Sequence, residues 1–354
     1  MTKKRVAVAL SGGVDSSMAA LLLQEVGYEV VGITMRLWHE KKATVGGQHY
    51  SCYSTQDIYD VEQICLTFGI PLHIIDLERE FKQYVIDYFC QEYRQGRTPN
   101  PCIACNQHIK FGFVLNQALF LGADYLATGH YARTEYFDDA YHLLKGVDLK
   151  KDQSYMLCTL GQEKLSHLLF PLGGYLKAEV KELARQKGLP IASKPSSQDI
   201  CFITTDYGTL LGQHSATSPG EIVNRWGEVL GKHRGIAFYT IGQRHGFGLA
   251  SSSRLYVTKI EPDINRITVG SEEEICSQKL TASKVNWVSG RPPSKPVEIT
   301  AKIRYKSPEA VATLYPESDS AEIQFHQLQH AITPGQAVVF YRDSEVLGGG
   351  IIEN

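Results

Sequence analysis

Three cysteines and one glycine-rich turn carry most of the chemistry legible in this chain. "RTPNPCIACNQH", residues 97–108, sets Cys102 and Cys105 three residues apart in what reads as a Pro- and Asn-rich loop. Such a pair suits half a zinc site, a redox couple, ligands of an iron–sulfur cluster, or a catalytic thiol with its neighbour. The pair by itself leaves these readings open. A third cysteine, Cys201, sits in "SQDICFI". The second feature is "ALSGGVDSS", residues 9–17, between an apolar run and a helical pattern. Gly12 and Gly13 can bring backbone N–H groups close to an anion. Ser11, Ser16 and Ser17 add hydroxyls, and the following helix start adds its positive end. No lysine follows the glycines, so this is not a Walker loop, and the spacing is wrong for a dinucleotide fingerprint.

The elements that must hold these residues alternate. "RVAVAL", "EVVGITMRL", "PLHIIDL" and "DYLATGHY" read as strands. Between them lie the helical patterns "DSSMAALLLQEVG", "STQDIYDVEQICLTFG", "FKQYVIDYFCQEYRQG" and "HIKFGFVLNQALFLG", with "LKAEVKELARQKG" further on. Ser54 and Asp57 form a capping box at the second helix, and Gly27 and Gly69 mark helix ends. Strands separated by helices predict a doubly wound α/β parallel sheet. Its ligands belong at the carboxyl ends of the strands, where the glycine-rich turn lies.

Beyond about residue 205 the pattern changes to period-two alternation, as in "PVEITAKIRYKS" and "QAVVFYRDSEVLGGGIIEN". This predicts two small antiparallel β domains. The acidic "SEEEICSQ", residues 271–278, reads as a seam. The expected division is 1–205 for a catalytic domain, 206–278 for a central β-rich domain, and 279–354 for a C-terminal β-barrel.

A chain of 354 residues with 43% apolar and 21% charged residues is expected to be globular and multidomain. No apolar run approaches a membrane span, and the N-terminus does not read as a signal peptide, so a cytoplasmic, thiol-reducing setting is expected. Eight cysteines then do not form a disulfide framework. Cys65, Cys90 and Cys158 read as small buried residues, while Cys52 and Cys276 stay undecided. Net charge is −2, and each of the three stretches balances its charges to within one unit. A nucleic acid would therefore meet a local patch rather than a uniformly cationic face.

"SGGVDSS" resembles the pyrophosphatase-type phosphate loop of enzymes that adenylate a carbonyl oxygen. "GITMRLW", "RTPNPCIACNQHIKFG", "ATGHYAR", "KDQSYMLCTL", "SQDICFI", "GEIVNRWGEVLGKHRGIAFYTIGQRHG" and "KIRYKS" follow in order. Together, over residues 5–350, they resemble the bacterial tRNA-specific 2-thiouridylase family. The resemblance implies ATP contacts from Ala9, Leu10, Ser11, Gly12, Gly13, Val14, Asp15 and Ser16, and from Met35 and Gly129. Asp15 would help place Mg²⁺. It implies that Asn100, Pro101 and Cys102 meet the target uridine. His130, Lys151, Asp152, Gln153, Arg304, Tyr305 and Gln336 would meet the rest of the tRNA. Cys201 matches the family's persulfide carrier and Cys105 its partner nucleophile. A persulfide-donating sulfur carrier or cysteine desulfurase is the implied protein partner.

Taken singly, Met35 reads as a buried strand residue, and Arg304-Tyr305 as a solvated charge beside a packing aromatic on a strand. A zinc site at the CxxC is disfavoured, because His108 offers a weak third ligand and no fourth has suitable spacing. One departure stands out. The family pattern has Asp where this chain has Cys102, so the acid/base role of that Asp does not transfer. Cys102, Cys105 and Cys201 together raise an alternative in which three thiolates hold a 4Fe–4S cluster with one iron open. A second alternative is an adenylating ATP pyrophosphatase of the synthetase or amidotransferase type. A third is an RNA-binding module without turnover.

Overall fold

The structure is a computed structural model, and it describes residues 3–37, 55–192, 194, 200–203, 211–212, 218–249 and 254–354. Ser54 of the expected capping box, Cys52, and residues 197–199 of "SQDICFI" lie outside the described residues.

The N-terminal sheet is all parallel. Strands β1 (Arg5–Ala9), β2 (Glu29–Arg36), β3 (Leu72–Asp76) and β4 (Tyr125–Ala127) join a two-residue strand, Leu168–Leu169, in the order β3-β2-β1-β4 and then Leu168–Leu169. The near-continuous apolar "RVAVA" is buried on both faces, as parallel strands with helical cover require. Alternation along β1 splits the core. Val6, Val8 and Leu10 pack with α1 (Val14–Glu25), α2 (Thr55–Phe68) and a later helix, Lys177–Gln186. Ala7 and Ala9 face the opposite cluster, with Phe81, Val85, Ile103 and Ile109. The abutting helical segments Glu78–Phe81, Lys82–Asp87 and Tyr88–Arg94 supply that side as α3. Pro101–Ala104, Cys105–Val114 and Leu115–Phe120 continue it as α4, with a local break in helical geometry at Phe111. Lys177–Gln186 is α5.

The expectation that the CxxC pair lies in a loop is corrected. Asn100 caps α4, its Oδ1 accepting from the N–H groups of Cys102 at 3.1 Å and Ile103 at 3.4 Å. Pro101 occupies the first helical turn. Cap plus N1 proline starts the helix before the cysteines, so both sit in its opening turns.

A hairpin, β5 (Ala132–Phe137) and β6 (Ala140–Lys145), turns on Asp138 and Asp139, both at positive φ. It leaves the parallel sheet altogether. The intervening strands are the two-residue β7 (Leu168–Leu169), already placed in the parallel sheet, and β8 (Gly220–Val223), β9 (Val229–His233), β10 (Tyr256–Glu261) and β11 (Arg266–Gly270). The last four form the central sheet in the order β10-β11-β8-β9. It is not purely antiparallel as expected, because β8 and β11 pair in parallel.

The C-terminal strands are β12 (Cys276–Trp287), β13 (Val297–Lys302), β14 (Ala310–Pro316), β15 (Ala321–His330), β16 (Ala337–Arg342) and β17 (Glu345–Ile352). They close a barrel, since β12 pairs with β15 on one side and β17 on the other. The ring runs β12-β15-β14-β13-β16-β17 and back to β12. The hairpin β5–β6 attaches to β17 through Glu345 opposite Leu144. The wall of this barrel therefore carries two strands from the N-terminal half. Arg304 and Tyr305 lie in the turn after β13 rather than on a strand. Among the described residues no helix is long and apolar enough to cross a membrane.

Gly348 closes the β12–β17 seam, where a Cβ would stand 2.3 Å from the Asn286 carbonyl oxygen. Gly348→Ala is expected to lower stability by about 1–3 kcal/mol, the range for overpacking. A urea midpoint equal to wild type would refute this.

Candidate functional site

Strand order reverses between β1 and β4, and the two chain exits there meet. After β1, Leu10 still donates its N–H to Ile33 O at 2.8 Å. Gly12 then takes φ +69°, and Gly13 serves as an extended N-cap for α1 with no side-chain cap of its own. The first N–H groups of α1 are thus left for a ligand. Val14 is buried in the α1 side of the core. Ser16 Oγ accepts from Ser11 N–H at 3.1 Å and donates to Gly13 O. Ser17 is buried, its Oγ also on Gly13 O, so it offers no hydroxyl to an anion. After β4, Gly129 lies flat against this loop. A Cβ there would be 2.7 Å from the backbone of Asp15 and Ser16. Met35, at the far end of β2, has no exposed surface and is core.

Asp15 forms the centre of the crevice. Its Oδ1 takes an ion pair from Lys177 Nζ and a 2.8 Å hydrogen bond from Tyr131 Oη. Burial and the Asp15 charge push the Tyr131 hydroxyl far up, so it remains a donor. Lys194 Nζ reaches Gly12 O at 3.1 Å, Asp57 at 2.6 Å and Asp60 at 2.8 Å. Neither lysine is marked by local sequence, because both come from more than 100 residues away.

The cysteine helix meets the same crevice. The Phe111 ring of α4 lies 5.8 Å from the ring of His130, just past β4. Cys105 lies six residues nearer the start of α4. Cys105 is buried in the apolar cluster against which half-buried Cys201 also packs. Cys102 is half-buried beside Tyr305, whose hydroxyl is pushed up by burial, then by Asp152 and Cys102. Asn100 Nδ2 lies 3.7 Å from Met156 Sδ, and Asn106 Nδ2 donates to Met156 O at 2.9 Å. Asn106 Oδ1 is buried with no hydrogen-bond partner among the described residues.

The residues expected at tRNA are brought toward this helix start, mostly by using their polar groups inside the protein. Tyr305 Oη donates to Asp152 O at 3.2 Å, and Gln336 Nε2 to Thr98 O at 2.8 Å. The Asp152 carboxylate accepts from Gly146 and Ser154 N–H, and Gln153 Oε1 accepts from Tyr131 N–H. Arg304 donates to the carbonyls of His330 and Ala331. Lys151 is exposed. His130 is buried, its Nδ1 2.7 Å from Thr128 Oγ1, and its ring packs in a three-ring cluster with Phe111 and Phe170.

The expected iron–sulfur site does not fit these side chains. Asp15 Oδ1, expected beside Mg²⁺, is engaged by Lys177 and Tyr131. Among the described residues no group of three or more His, Cys, Asp or Glu is arranged to hold a metal ion. Cys102, Cys105 and Cys201 therefore form no three-thiolate cradle in this conformation. His108 stacks on Tyr84 at 5.0 Å.

Comparison with known proteins gives the same architecture a lineage. The chain is 47% identical to the tRNA-specific 2-thiouridylase MnmA of Carboxydothermus hydrogenoformans, over 99% of this chain and 98% of that one. The chain belongs to the tRNA-specific 2-thiouridylase family. A further family relative, from Clostridium perfringens, is 45% identical over 100% of this chain and 99% of its own. Family models match residues 4–205 as a tRNA methyl transferase HUP domain and 208–271 as a tRNA methyl transferase PRC-barrel domain. Residues 277–352 match an aminomethyltransferase β-barrel domain. A solved 4-thiouridine synthetase–RNA complex with bound ATP is 18% identical, over 57% of this chain and 45% of that one, at a TM-score of 0.35. Likeness that faint carries no functional weight.

Burial, then the Lys110 charge, holds the His130 imidazole well below its ordinary pKa, so it stays neutral when folded. The unfolded chain gains that proton below about pH 6.5, which favours unfolding as pH falls. His108 and His233, also lowered by burial, act with the same sign. Stability is expected to fall from pH 7.5 to 5.5, His130 contributing up to about 1.4 kcal/mol per pH unit. Urea midpoints in wild type and His130→Asn check this, and an unchanged slope in the variant would remove His130 as a cause.

Proposed function

We propose that this chain is an ATP-dependent tRNA 2-thiouridylase of the cytoplasm. The observation that supports it most is the meeting of two sites: the glycine-rich loop at the β1/β4 crevice and the cysteine helix touch at His130 and Phe111. A nucleotide reaction and a thiol reaction on one substrate need that adjacency.

In this reading ATP lies on Ala9–Ser16 against Gly129, and the wobble uridine enters beside Asn100, Pro101 and Cys102. The uridine O2 lone pair attacks the α-phosphorus. The bond to the β-phosphate oxygen breaks, and pyrophosphate leaves with the electron pair while the uracil N3 proton is released. The terminal sulfur of a Cys201 persulfide then attacks C2, and AMP leaves with the C2–O pair. The Cys105 thiolate attacks the inner Cys201 sulfur. The S–S bond to the transferred sulfur breaks, leaving 2-thiouridine and a Cys105–Cys201 disulfide. A cellular thiol reductant restores the pair, and a persulfide-donating protein reloads Cys201.

Lys151, Asp152, Gln153, Arg304, Tyr305 and Gln336 bound the tRNA side. Those that are bonded internally act by shaping the surface, and exposed Lys151 by meeting phosphate. The three functional units are assigned to 1–205, 206–278 and 279–354.

Cys105→Ser and Cys201→Ser are expected to lose 2-thiouridine formation by about 10³-fold or more, as nucleophile deletions do. Both should still release pyrophosphate in the presence of tRNA. Nucleoside mass analysis and a pyrophosphate assay read the two steps separately. Pyrophosphate release that ignores tRNA, with full product formation in the serine variants, would overturn the proposal.

A further inference from the structure

We propose that Lys177 supplies the cation that the phosphate loop lacks, binding the β- and γ-phosphates of ATP and the departing pyrophosphate. The inference rests on the adenylation reading above and assigns a residue to it.

The loop 9–16 contains no lysine or arginine. Helix-start N–H groups alone balance about half a charge, against a triphosphate bearing several. Among the described residues two lysines touch the loop, and counting donors separates them. An ammonium has three N–H donors. Lys194 uses all three, on Gly12 O, Asp57 and Asp60. It has none to offer a ligand, so it is a positioning residue that fixes Gly12 against α2. Among the described residues Lys177 hydrogen-bonds through Nζ to Asp15 alone, its other contact being the Tyr131 ring face 5.7 Å away. Two donors remain.

Lys177 is also built to stay where it is. Its side chain is only 12% exposed. It opens α5, and its backbone N–H donates to Asp148 Oδ2 at 3.0 Å. Asp15, one residue beyond the start of α1, holds the ammonium beside the N–H groups that face an anion. When the α-phosphorus bond breaks, charge gathers on the departing β-phosphate oxygen. A fixed ammonium with two open donors stabilises that charge without reorganising.

Equilibrium binding of inorganic pyrophosphate, ATP and AMP to the full chain tests this, with Lys177→Gln, Lys177→Arg and Asp15→Asn/Lys177→Gln. Lys177→Gln is expected to bind pyrophosphate and ATP about tenfold or more weakly, the effect of a lost charged hydrogen bond. AMP and tRNA should bind as to wild type, and Lys177→Arg should recover much of the loss. The double variant separates a missing cation from an uncovered Asp15 carboxylate: affinity that stays weak supports Lys177 as a ligand. Restored affinity in the double variant, or pyrophosphate binding undiminished in Lys177→Gln, would overturn this inference alone. Wild-type protein that binds neither ATP nor pyrophosphate would overturn the adenylation reading and this inference with it.

Discussion

One carboxylate holds the crevice together. Asp15 joins the turn after β1 to Tyr131, which follows β4, and to Lys177, which opens α5. The β1–β4 ladder stops at Val8 opposite Ala127, and beyond it these side-chain contacts hold the segments together. Gly129 completes the closure, because a Cβ there would sit 2.7 Å from the Asp15 backbone. The crevice width, and with it the reach of the helix-start N–H groups, follows from this junction. Lys194 repeats the device on the far side, tying the positive-φ turn at Gly12 to Asp57 and Asp60 of α2.

The cysteine helix has a different anchor. The segment leading into Asn100 is bound to the C-terminal barrel. Thr98 N–H donates to Pro334 O at 2.8 Å, and Gln336 returns a bond to Thr98 O. Arg97 pairs with Glu92 of α3 and with Glu353 beyond β17. Gly335 packs against Thr98 so closely that a Cβ would sit 2.8 Å from its nitrogen. The starting point of α4 is therefore set by the barrel and its direction by the apolar core around Ile103 and Ile109. Tyr305 on Asp152 adds a second tie between the barrel and the catalytic half.

The parallel strands and their helices were readable because each buries its apolar residues by local periodicity, and Gly27 and Gly69 marked helix ends at positive φ. The capping signal at Asn100-Pro101 was also present in the sequence, but the surrounding Pro and Asn residues read as loop. The β5–β6 hairpin went unread because its turn is Asp-Asp, without the glycine that usually betrays such a turn. The parallel pairing of β8 with β11 joins segments separated by a hairpin and a long connection, which no local pattern encodes. Of the site, the loop and the cysteines were legible as types and spacings. Lys177, Lys194 and Tyr131 were not, since their roles arise only where distant segments meet, and an isolated lysine on a helix reads as a solvated charge.

The barrel wall also sets an order on biosynthesis. Leu144 has its strand partner at Glu345, 201 residues further along. At about 5–20 residues per second, the β5–β6 hairpin emerges roughly 10–40 s before the strand it leans on. Through that interval its exposed edge and the incomplete barrel are open to wrong partners. The Arg97–Glu353 pair joins residues 256 apart, so the segment that starts the cysteine helix also waits on a late-arriving partner. A nascent chain can thus carry a folded parallel sheet while the start of the cysteine helix still lacks its barrel partners.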